Sequence, residues 1–282
     1  MATMDVLQRQ PVLEIVERSG YLSLDRHAAA AAGAALHDRY VAAEPFPHIA
    51  LEDFIDRSLL NRVNDEFPRW EPGRFADAQS NRKTGYQLEK IDSPFVNALL
   101  NALNGPGFLA FLESMTGIDG LVPDPWQVGG GLHETRRGGH LSIHADFNMH
   151  PKLGLRRRLN LILFLNEDWD DSYGGHLELW ARDMSACRAK VAPRIGTAVI
   201  FNTDSDSFHG HPDPLACPED RTRRSIALYY YAADPELTST QMSRTTDFRV
   251  RPGSHDKVDV KNRARHLIKD LCPPILWRQF NR

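Results

Sequence analysis

The chain has 282 residues, of which 41% are hydrophobic and 25% charged; this is the balance of an ordinary globular protein and excludes a fibrous or disordered one. A formal net charge of −3 gives no overall basic field, so nucleic acid is not an expected partner. No run approaches the roughly 18 apolar residues of a membrane helix, and no secretion signal opens the chain. Three widely spaced cysteines form neither a disulfide framework nor a metal clip, so we expect a soluble, cytoplasmic protein without a membrane partner.

The first part of the chain predicts the flanking helices of a single domain. Residues 1–44 are expected to form a helical N-terminal extension, with an alanine-rich stretch at 28–35. Residues 45–120 follow as an entry strand with supporting helices. Within them, the polar residues 69–90 have no clear period and predict a long loop.

Apolar spacing and terminal residues mark the elements within 45–120. A short strand at 48–54 precedes a helical stripe that begins at Arg57. Ser93 has the pattern of an N-cap, because a proline and an apolar helical face follow it. Gly117 is placed to close the last of these helices in the left-handed conformation.

Residues 121–232 have a different texture, with short strands separated by glycine, proline and aspartate. Eight segments share this pattern: 126–132, 140–147, 157–166, 175–180, 186–192, 196–202, 206–209 and 223–231. They predict a mainly β core with flanking helices, a sandwich or jelly roll rather than a parallel sheet with crossover helices.

Residues 233–282 predict a basic C-terminal extension. From Arg244 onward it has ten Lys/Arg and four Asp/Glu, and it includes a helix-like stretch at 260–271. Three roles for it stay open: a cap on the barrel mouth, an oligomer contact such as that of a homodimer, or a solvated tail.

A His-x-Asp pair is the sharpest chemical feature of the chain. Seven of the twelve histidines fall within 133–211, and strand alternation puts His144 and Asp146 on one face, as a pair gripping one ion requires. His209, at a strand end, offers a second imidazole. Two histidines and one carboxylate on one side of an ion make the facial triad of non-haem Fe(II) oxygenases. The alternative is a hydrogen-bonded His–Asp pair on a surface strand.

A third element follows on the last core strand, where Arg223 and Ser225 share a face. An arginine fork beside a hydroxyl suits a carboxylate held in bidentate fashion. Two assignments stay open at this point. His211 would face the same way as His209 on a regular strand, and Arg224 could exchange roles with Arg223.

The order of His-x-Asp, distal histidine and Arg-x-Ser resembles the 2-oxoglutarate/Fe(II)-dependent dioxygenases, specifically the prolyl hydroxylase-like branch of the double-stranded β-helix superfamily. The resemblance includes three further segments: Leu165-Asn-Glu-Asp-Trp-Asp170, Gly174-Gly175-His-Leu and 193–201. It implies a double-stranded β-helix (jelly-roll, cupin-like) core.

The resemblance also implies residue roles. It implies that the iron ligands are His144, Asp146 and His209. It also implies that Arg223 is the catalytic-site group that binds the distal carboxylate of 2-oxoglutarate, with Ser225 assisting. The tyrosine that hydrogen-bonds this carboxylate in the hypoxia-sensing members aligns with Phe164. We expect Asn160, on the same strand face, to replace that donor.

The implied activity couples decarboxylation of 2-oxoglutarate to succinate with hydroxylation of an unactivated C–H bond. Its cofactors are Fe(II), 2-oxoglutarate and O₂, with ascorbate as an optional addition. Asp146 favours hydroxylation over the halogenation of relatives that have glycine at this position. The expected substrate is a peptidyl or free proline-like amino acid, or a small metabolite. The alternatives are a non-oxidative, metal-dependent cupin-like enzyme and a catalytically silent binding barrel.

Several polar residues have a structural interpretation beside the functional one. His140 and His176 either line the pocket or are structural, and the structural role is favoured. Residues 156–158, three arginines, predict a solvated or substrate-facing loop end. The loops 69–90 and 233–256 are where we expect the contacts that grip the substrate.

Overall fold

The computed structural model describes residues 10–69, 80–233 and 245–260. The helices in these ranges are α1 (Arg26–Ala34), α2 (His37–Val41), α3 (Arg57–Asp65), α4 (Pro94–Ala102) and α5 (Pro106–Thr116), with short 3-10 helices at Leu88–Lys90 and Asp171–Tyr173. The helix-like stretch predicted at 260–271 lies almost wholly outside the described residues, as does most of the basic extension.

Thirteen strands occur in the described ranges. They are β1 (Val16–Arg18), β2 (Tyr21–Ser23), β3 (His48–Leu51), β4 (Ser80–Tyr86), β5 (Val122–Pro123), β6 (Gly131–Ala145), β7 (Arg156–Phe164), β8 (Leu177–Trp180), β9 (Cys187–Val191), β10 (Ala198–Asn202), β11 (His209–His211), β12 (Thr222–Ala232) and β13 (Asp247–Phe248). The strands of the predicted β core therefore alternate with turns rather than with helices.

Eleven of these strands form one antiparallel sheet in the order β3-β10-β7-β12-β6-β11-β8-β9, with β4 and β13 paired to β6 and β5 paired to β12. Strand β6 belongs to both halves of the sheet, because its first part pairs with β12 and its last part with β11. It bends at Gly138, which has φ +75°, and at Gly139, where a Cβ would lie 2.7 Å from the Asn81 carbonyl oxygen. The sheet curls into a nearly closed barrel, and the predicted double-stranded β-helix is confirmed.

The two faces of β7 separate the hydrophobic core from the barrel interior. Leu159, Leu161 and Leu163 are fully buried in the main core, which also contains apolar residues of α4 and α5 such as Leu99 and Phe108. The alternate positions on β7 face the other way, into the barrel. Strand alternation thus places a helix layer on one side of the sheet and a cavity on the other.

The prediction that residues 1–44 are helical is only partly right. Strands β1 and β2 form a hairpin in which Arg18 pairs with Tyr21. Ser19 and Gly20 have φ angles of 52° and 79°, as a two-residue hairpin turn requires. The alanine-rich stretch that follows does form α1. Its composition led to the helical prediction for the whole of residues 1–44.

Three other element boundaries differ from the predictions. The segments 126–132 and 140–147 are not two strands, because β6 runs through the glycine bend between them. The expected loop 69–90 contains β4, whose polar side chains hid its period; residues 70–79 lie outside the described part. The strand predicted at 206–209 begins only at His209, since hydrogen-bonded turns occupy the residues before it.

The predicted helix ends are confirmed where the structure describes them. Ser93 accepts a hydrogen bond from the Val96 amide at 3.0 Å, and Gly117 ends α5 with φ 70°. Among the described residues, only the stretch 94–116 is long and apolar enough to cross a membrane. In its most apolar part, 61% is buried inside the protein. Because a turn at Leu103 divides this stretch into two core helices, it is weak evidence for a membrane span.

Candidate metal centre

A cavity of about 330 Å³ opens between the two halves of the curled sheet. Its polar lining comes from six strands or the residues next to them: Ser80, Lys83, His133, His144, Asp146, Arg157, Asn160, His209, His211, Arg223, Ser225, Tyr229 and Thr246. All six predicted site residues, from four separate segments, therefore line one cavity, together with groups that the sequence did not indicate.

His144, Asp146 and His209 form the one cluster among the described residues that could hold a metal ion, with ligand atoms within 4.8 Å of one another. The His144 Nε2 atom lies 3.5 Å from Asp146 Oδ1, and the His209 Nε2 atom lies 3.4 Å from Asp146 Oδ2. Strand pairing creates this proximity, because His209 on β11 is the register partner of His144 on β6.

Backbone contacts fix the orientation of both imidazoles. Nδ1 of His144 is 2.8 Å from the Ser142 carbonyl oxygen, and Nδ1 of His209 is 3.0 Å from the Ser207 carbonyl oxygen. Since a carbonyl oxygen can only accept, each Nδ1 carries the proton and each Nε2 presents a lone pair towards Asp146. Burial also lowers the pKa of His209 to about 4, which keeps this ring neutral, as a metal ligand must be.

A buried arginine and an amide hold the third group. Oδ2 of Asp146 accepts a hydrogen bond from Asn160 Nδ2 at 2.8 Å and lies 3.0 Å from Arg157 Nη2. Burial alone would raise the pKa of Asp146, but Arg157 and the two histidines hold it well below its usual range. The carboxylate is therefore ionised and fixed in direction. Two imidazoles oriented through Nδ1 and an oriented carboxylate fit a divalent transition metal.

Arg157 overturns the solvated alternative predicted for residues 156–158, because it is 1% exposed, lies on β7 and lines the cavity. The register of β7 and β12 shifts between Tyr230, which pairs with Leu159, and Tyr231, which pairs with Arg157. This irregularity turns Arg157 out of the alternation and into the cavity. Its guanidinium stacks 3.5 Å from the centre of the Tyr229 ring.

Arg223 and Ser225 lie at another part of the same cavity wall. Arg223 is 6% exposed, and its Nε donates to the Gly175 carbonyl oxygen at 2.7 Å. No acidic side chain of the described residues pairs with it, and burial lowers its pKa to about 9. Arg224 faces away, where its Nε lies 3.3 Å from Glu134 Oε1. Of the two arginines, only Arg223 lines the cavity.

The structure does not place Asn160 with Arg223 and Ser225. Asn160 pairs with Tyr229, whereas Phe164 pairs with Ser225, four residues further along β7. At about 3.3 Å per residue, this separates Asn160 from Phe164 by roughly 13 Å. Its amide is already engaged by Asp146 and by Arg157, so the expectation that it replaces the tyrosine donor is wrong.

Two open histidine assignments are answered by position. His211 lines the cavity but is not part of the cluster around Asp146, where His209 lies. His140 and His176 are absent from the cavity lining, and the Nε2 atom of His176 lies 3.5 Å from Asp171 Oδ1. Leu141 faces the cavity instead of His140, because the pairing of β6 with β11 is irregular between His209 and His211.

Lys83 and His133 are two further cavity residues that were not predicted as site residues; His133 only marks one end of the histidine-rich range. Lys83 lies on β4, within the stretch expected to be a loop, and His133 lies on β6. Phe248 of β13 also reaches the site, with its ring centre 5.4 Å from that of His144. Only pairing across strands brings these residues together, and single-strand patterns do not contain that information.

The comparisons with known proteins agree with this geometry. Residues 130–231, from the start of β6 to the end of β12, match the model of the 2OG-Fe(II) oxygenase superfamily. No curated protein matches the chain.

Two solved structures share the fold. A prolyl-4-hydroxylase from Pseudomonas putida is 18% identical, with a TM-score of 0.50 over 72% of this chain and 100% of its own. A prolyl hydroxylase from Trichoplax adhaerens, in complex with a peptide of hypoxia-inducible factor, is 14% identical, with a TM-score of 0.50 over 73% and 91%. Residues 130–231 thus match a superfamily whose members use Fe(II), 2-oxoglutarate and O₂, and the chain has a prolyl hydroxylase-like double-stranded β-helix fold.

Proposed function

We propose that this protein is a hydroxylase in which His144, Asp146 and His209 hold the iron and Arg223, assisted by Ser225, receives the distal carboxylate of 2-oxoglutarate. One observation carries the proposal. A buried His–Asp–His cluster shares its cavity with a buried guanidinium that has no acidic partner among the described residues. A cation buried without a counter-ion is costly unless an anionic ligand completes it.

The chain's own groups prepare this chemistry. When bound, the iron supplies the oxidative decarboxylation of the 2-oxo acid and the oxidation of the C–H bond. The two Nε2 atoms and Asp146 provide three ligands on one side, which leaves the other side for the cosubstrate and O₂. Arg157 and Asn160 keep the carboxylate ionised and aimed. Phe248 packs against the His144 ring at the cavity wall.

The nature of the residue at position 146 supports hydroxylation. Halogenating relatives have glycine at this position, which leaves a metal coordination site for chloride. Here Asp146 occupies that site. The non-oxidative alternative, a cupin-like enzyme with Zn²⁺ or Mn²⁺, would use the histidines but has no use for the unpaired Arg223. A catalytically silent binding barrel would need neither the metal-binding histidines nor Arg223.

The proposed substrate is a peptidyl or free proline-like amino acid, or a small metabolite. The fold shared with the Pseudomonas putida prolyl-4-hydroxylase and the Trichoplax adhaerens prolyl hydroxylase supports this class. Both segments expected to grip the substrate contribute to the cavity, through Lys83 and through Phe248. Incubation with proline-containing peptides and free amino acids, followed by mass spectrometry for one added oxygen, would separate the candidates.

An anaerobic titration tests the hydroxylase proposal, with a matched pair of variants. Fe(II) followed by 2-oxoglutarate should produce a weak visible charge-transfer band, and the addition of O₂ should produce succinate. Arg223→Gln should weaken 2-oxoglutarate binding by about 100-fold, because a buried charge-assisted pair is lost. Arg224→Gln, on the outer face, should bind like wild type. A wild-type protein that binds Fe(II) but shows neither the band nor succinate would contradict the proposal.

A further inference from the structure

We propose that Lys83 is a second cation for the distal carboxylate of 2-oxoglutarate, acting beside Arg223 from the neighbouring sheet position. This inference rests on the function proposed above and adds a cosubstrate-binding residue from β4, outside the Arg-x-Ser strand. The residue is thus a determinant of specificity for a dicarboxylic 2-oxo acid.

Strand register places Lys83 next to Arg223. Lys83 on β4 pairs with Thr135 on β6, and the same Thr135 pairs with Arg223 on β12. The two cations are therefore next-but-one neighbours across the sheet, about 10 Å apart at the backbone, given strand spacings of about 4.8 Å. Both line the cavity. Two long side chains at this separation reach a common anion without any backbone movement.

The positive charges around Lys83 favour binding of an anion. Among the described residues, no hydrogen bond or ion pair engages its ammonium group. Burial, together with the charges of Arg223 and Arg157, lowers the pKa of Lys83 to about 8, and the attraction of Asp146 only partly offsets this. Asp146 is already held by Arg157 and Asn160 and lies at the metal cluster. A carboxylate between Lys83 and Arg223 would remove their mutual repulsion.

The imidazole of His211 gives an independent indication of a missing polar ligand here. It is 3% exposed, it lines the same cavity, and neither of its ring nitrogens has a hydrogen-bond partner among the described residues. His211 interacts electrostatically with both Arg223 and Lys83, so the three groups share one region. A buried polar group without a partner is costly in a native structure and indicates a ligand or water that completes it.

The distal carboxylate of the cosubstrate is the anion that fits best. The Phe164 ring lies 4.9 Å from the Arg223 guanidinium and offers no hydroxyl, and Asn160 is committed elsewhere. One nitrogen of Arg223 is also used by Gly175. A carboxylate accepts about four hydrogen bonds, and a bidentate fork of two N–H groups from Arg223 together with the Ser225 hydroxyl supplies three of them. Lys83 provides the additional donor.

Calorimetric binding to the Mn(II)-loaded protein tests the inference without turnover. The probes are 2-oxoglutarate and 2-oxopentanoate, which has the same chain length and 2-oxo acid group but no distal carboxylate. Lys83→Met should weaken 2-oxoglutarate binding by roughly 10- to 100-fold and leave 2-oxopentanoate binding unchanged. Lys83→Arg should retain most of the affinity. The exposed Lys152→Met is the control for the loss of a lysine charge away from the cavity.

The outcomes separate this inference from the proposed function. If Lys83→Met binds 2-oxoglutarate as wild type does, or loses both ligands equally, the inference is overturned while the hydroxylase assignment stands. If Lys83→Met is misfolded, the Lys83→Arg variant decides by its ratio of the two affinities, which should stay close to that of wild type. If the wild-type protein binds Mn(II) but not 2-oxoglutarate, the proposed function itself fails.

Discussion

Two buried arginines in one cavity have opposite electrostatic surroundings. Burial acts to lower the pKa of both, but for Arg157 the interactions with Asp146, Tyr229 and Tyr231 together outweigh burial and the pKa is raised. For Arg223 burial is the one cause, and the pKa falls to about 9. Arg157 is thus satisfied by the protein and serves to orient a ligand. Arg223 lacks a partner within the described residues and is suited to an incoming anion.

The two imidazoles next to Lys83 are neutral at physiological pH. Lys83 is therefore the cavity cation whose pKa lies nearest to that pH. His133 and His211 face it from β6 and β11, and burial, as the largest cause, lowers the pKa of each imidazole well below its usual value. The charged groups that face it are Arg223, Arg157 and Asp146. Changes of cosubstrate affinity around pH 8, below the range in which Arg223 titrates, therefore report mainly on Lys83.

The affinity for 2-oxoglutarate should fall as the pH rises above about 8, the pKa of Lys83 in the free protein. A bound carboxylate stabilises the ammonium, so this pKa rises on binding and a proton is taken up. The loss should approach at most about tenfold per pH unit. Calorimetry with Mn(II)-loaded protein, in buffers of different ionisation enthalpy, measures both the affinity and the proton uptake. Lys83→Met should lose both effects around pH 8 and keep only the fall in affinity that Arg223, with a pKa of about 9, produces at higher pH. A slope around pH 8 equal to that of wild type would contradict the assignment.

At the scale of elements, regular patterns were predictable and irregularities were not. The alternation along β7 and the Arg-x-Ser spacing on β12 follow from side-chain period, so the positions of His144, Asp146 and Ser225 could be deduced. Arg157 could not, because a register shift between β7 and β12 reverses its face. Such shifts depend on how two strands pair, which one strand's sequence does not specify.

The two glycines that precede β8 test whether this connection positions the Arg223 side chain. Gly174 and Gly175 both have positive φ, 70° and 73°. A Cβ on Gly175 would lie 2.9 Å from Arg223 Cδ, whereas a Cβ on Gly174 would meet nothing within 4 Å. Both alanine variants should lose about 1–3 kcal/mol of unfolding free energy through backbone strain.

Only Gly175→Ala should also weaken 2-oxoglutarate binding, by roughly tenfold or more, because it displaces the guanidinium. Urea unfolding and calorimetry on the same two samples measure the two effects separately. Equal affinities in Gly174→Ala and Gly175→Ala would mean that the glycine does not set the position of Arg223.

In the whole molecule, the helices and the cavity occupy opposite faces of the major part of the sheet. Apolar side chains of α1, α4 and α5 pack on the face that carries Leu161, while Asn160 and its neighbours on the alternate positions face the barrel interior. The site is therefore built on strands that the helix layer supports from behind. Damage to the helix layer should reduce stability before it alters the geometry of the site.

Gly33, where α1 crosses α5, tests this separation. A Cβ there would lie 2.2 Å from the Phe111 carbonyl oxygen, a backbone atom that cannot move alone. Alanine in place of a helical glycine ordinarily stabilises by about 1 kcal/mol, but the forced separation of two helices costs about 1–3 kcal/mol. Gly33→Ala should therefore lower the free energy of unfolding, measured by urea denaturation, while the affinity for Mn(II) stays that of wild type.

The exposed Ala34→Gly is the reference for helix propensity alone and should lose about 1 kcal/mol. A stabilised Gly33→Ala protein would show that α1 and α5 are further apart than the structure has them. Impaired Mn(II) binding in a folded Gly33→Ala protein would show instead that the helix layer and the metal cluster are coupled through the sheet. Unchanged metal binding with reduced stability would fit a site whose ligands are set by strand pairing and backbone contacts within the barrel, as the hydrogen bonds of His144 and His209 to their own strand segments indicate.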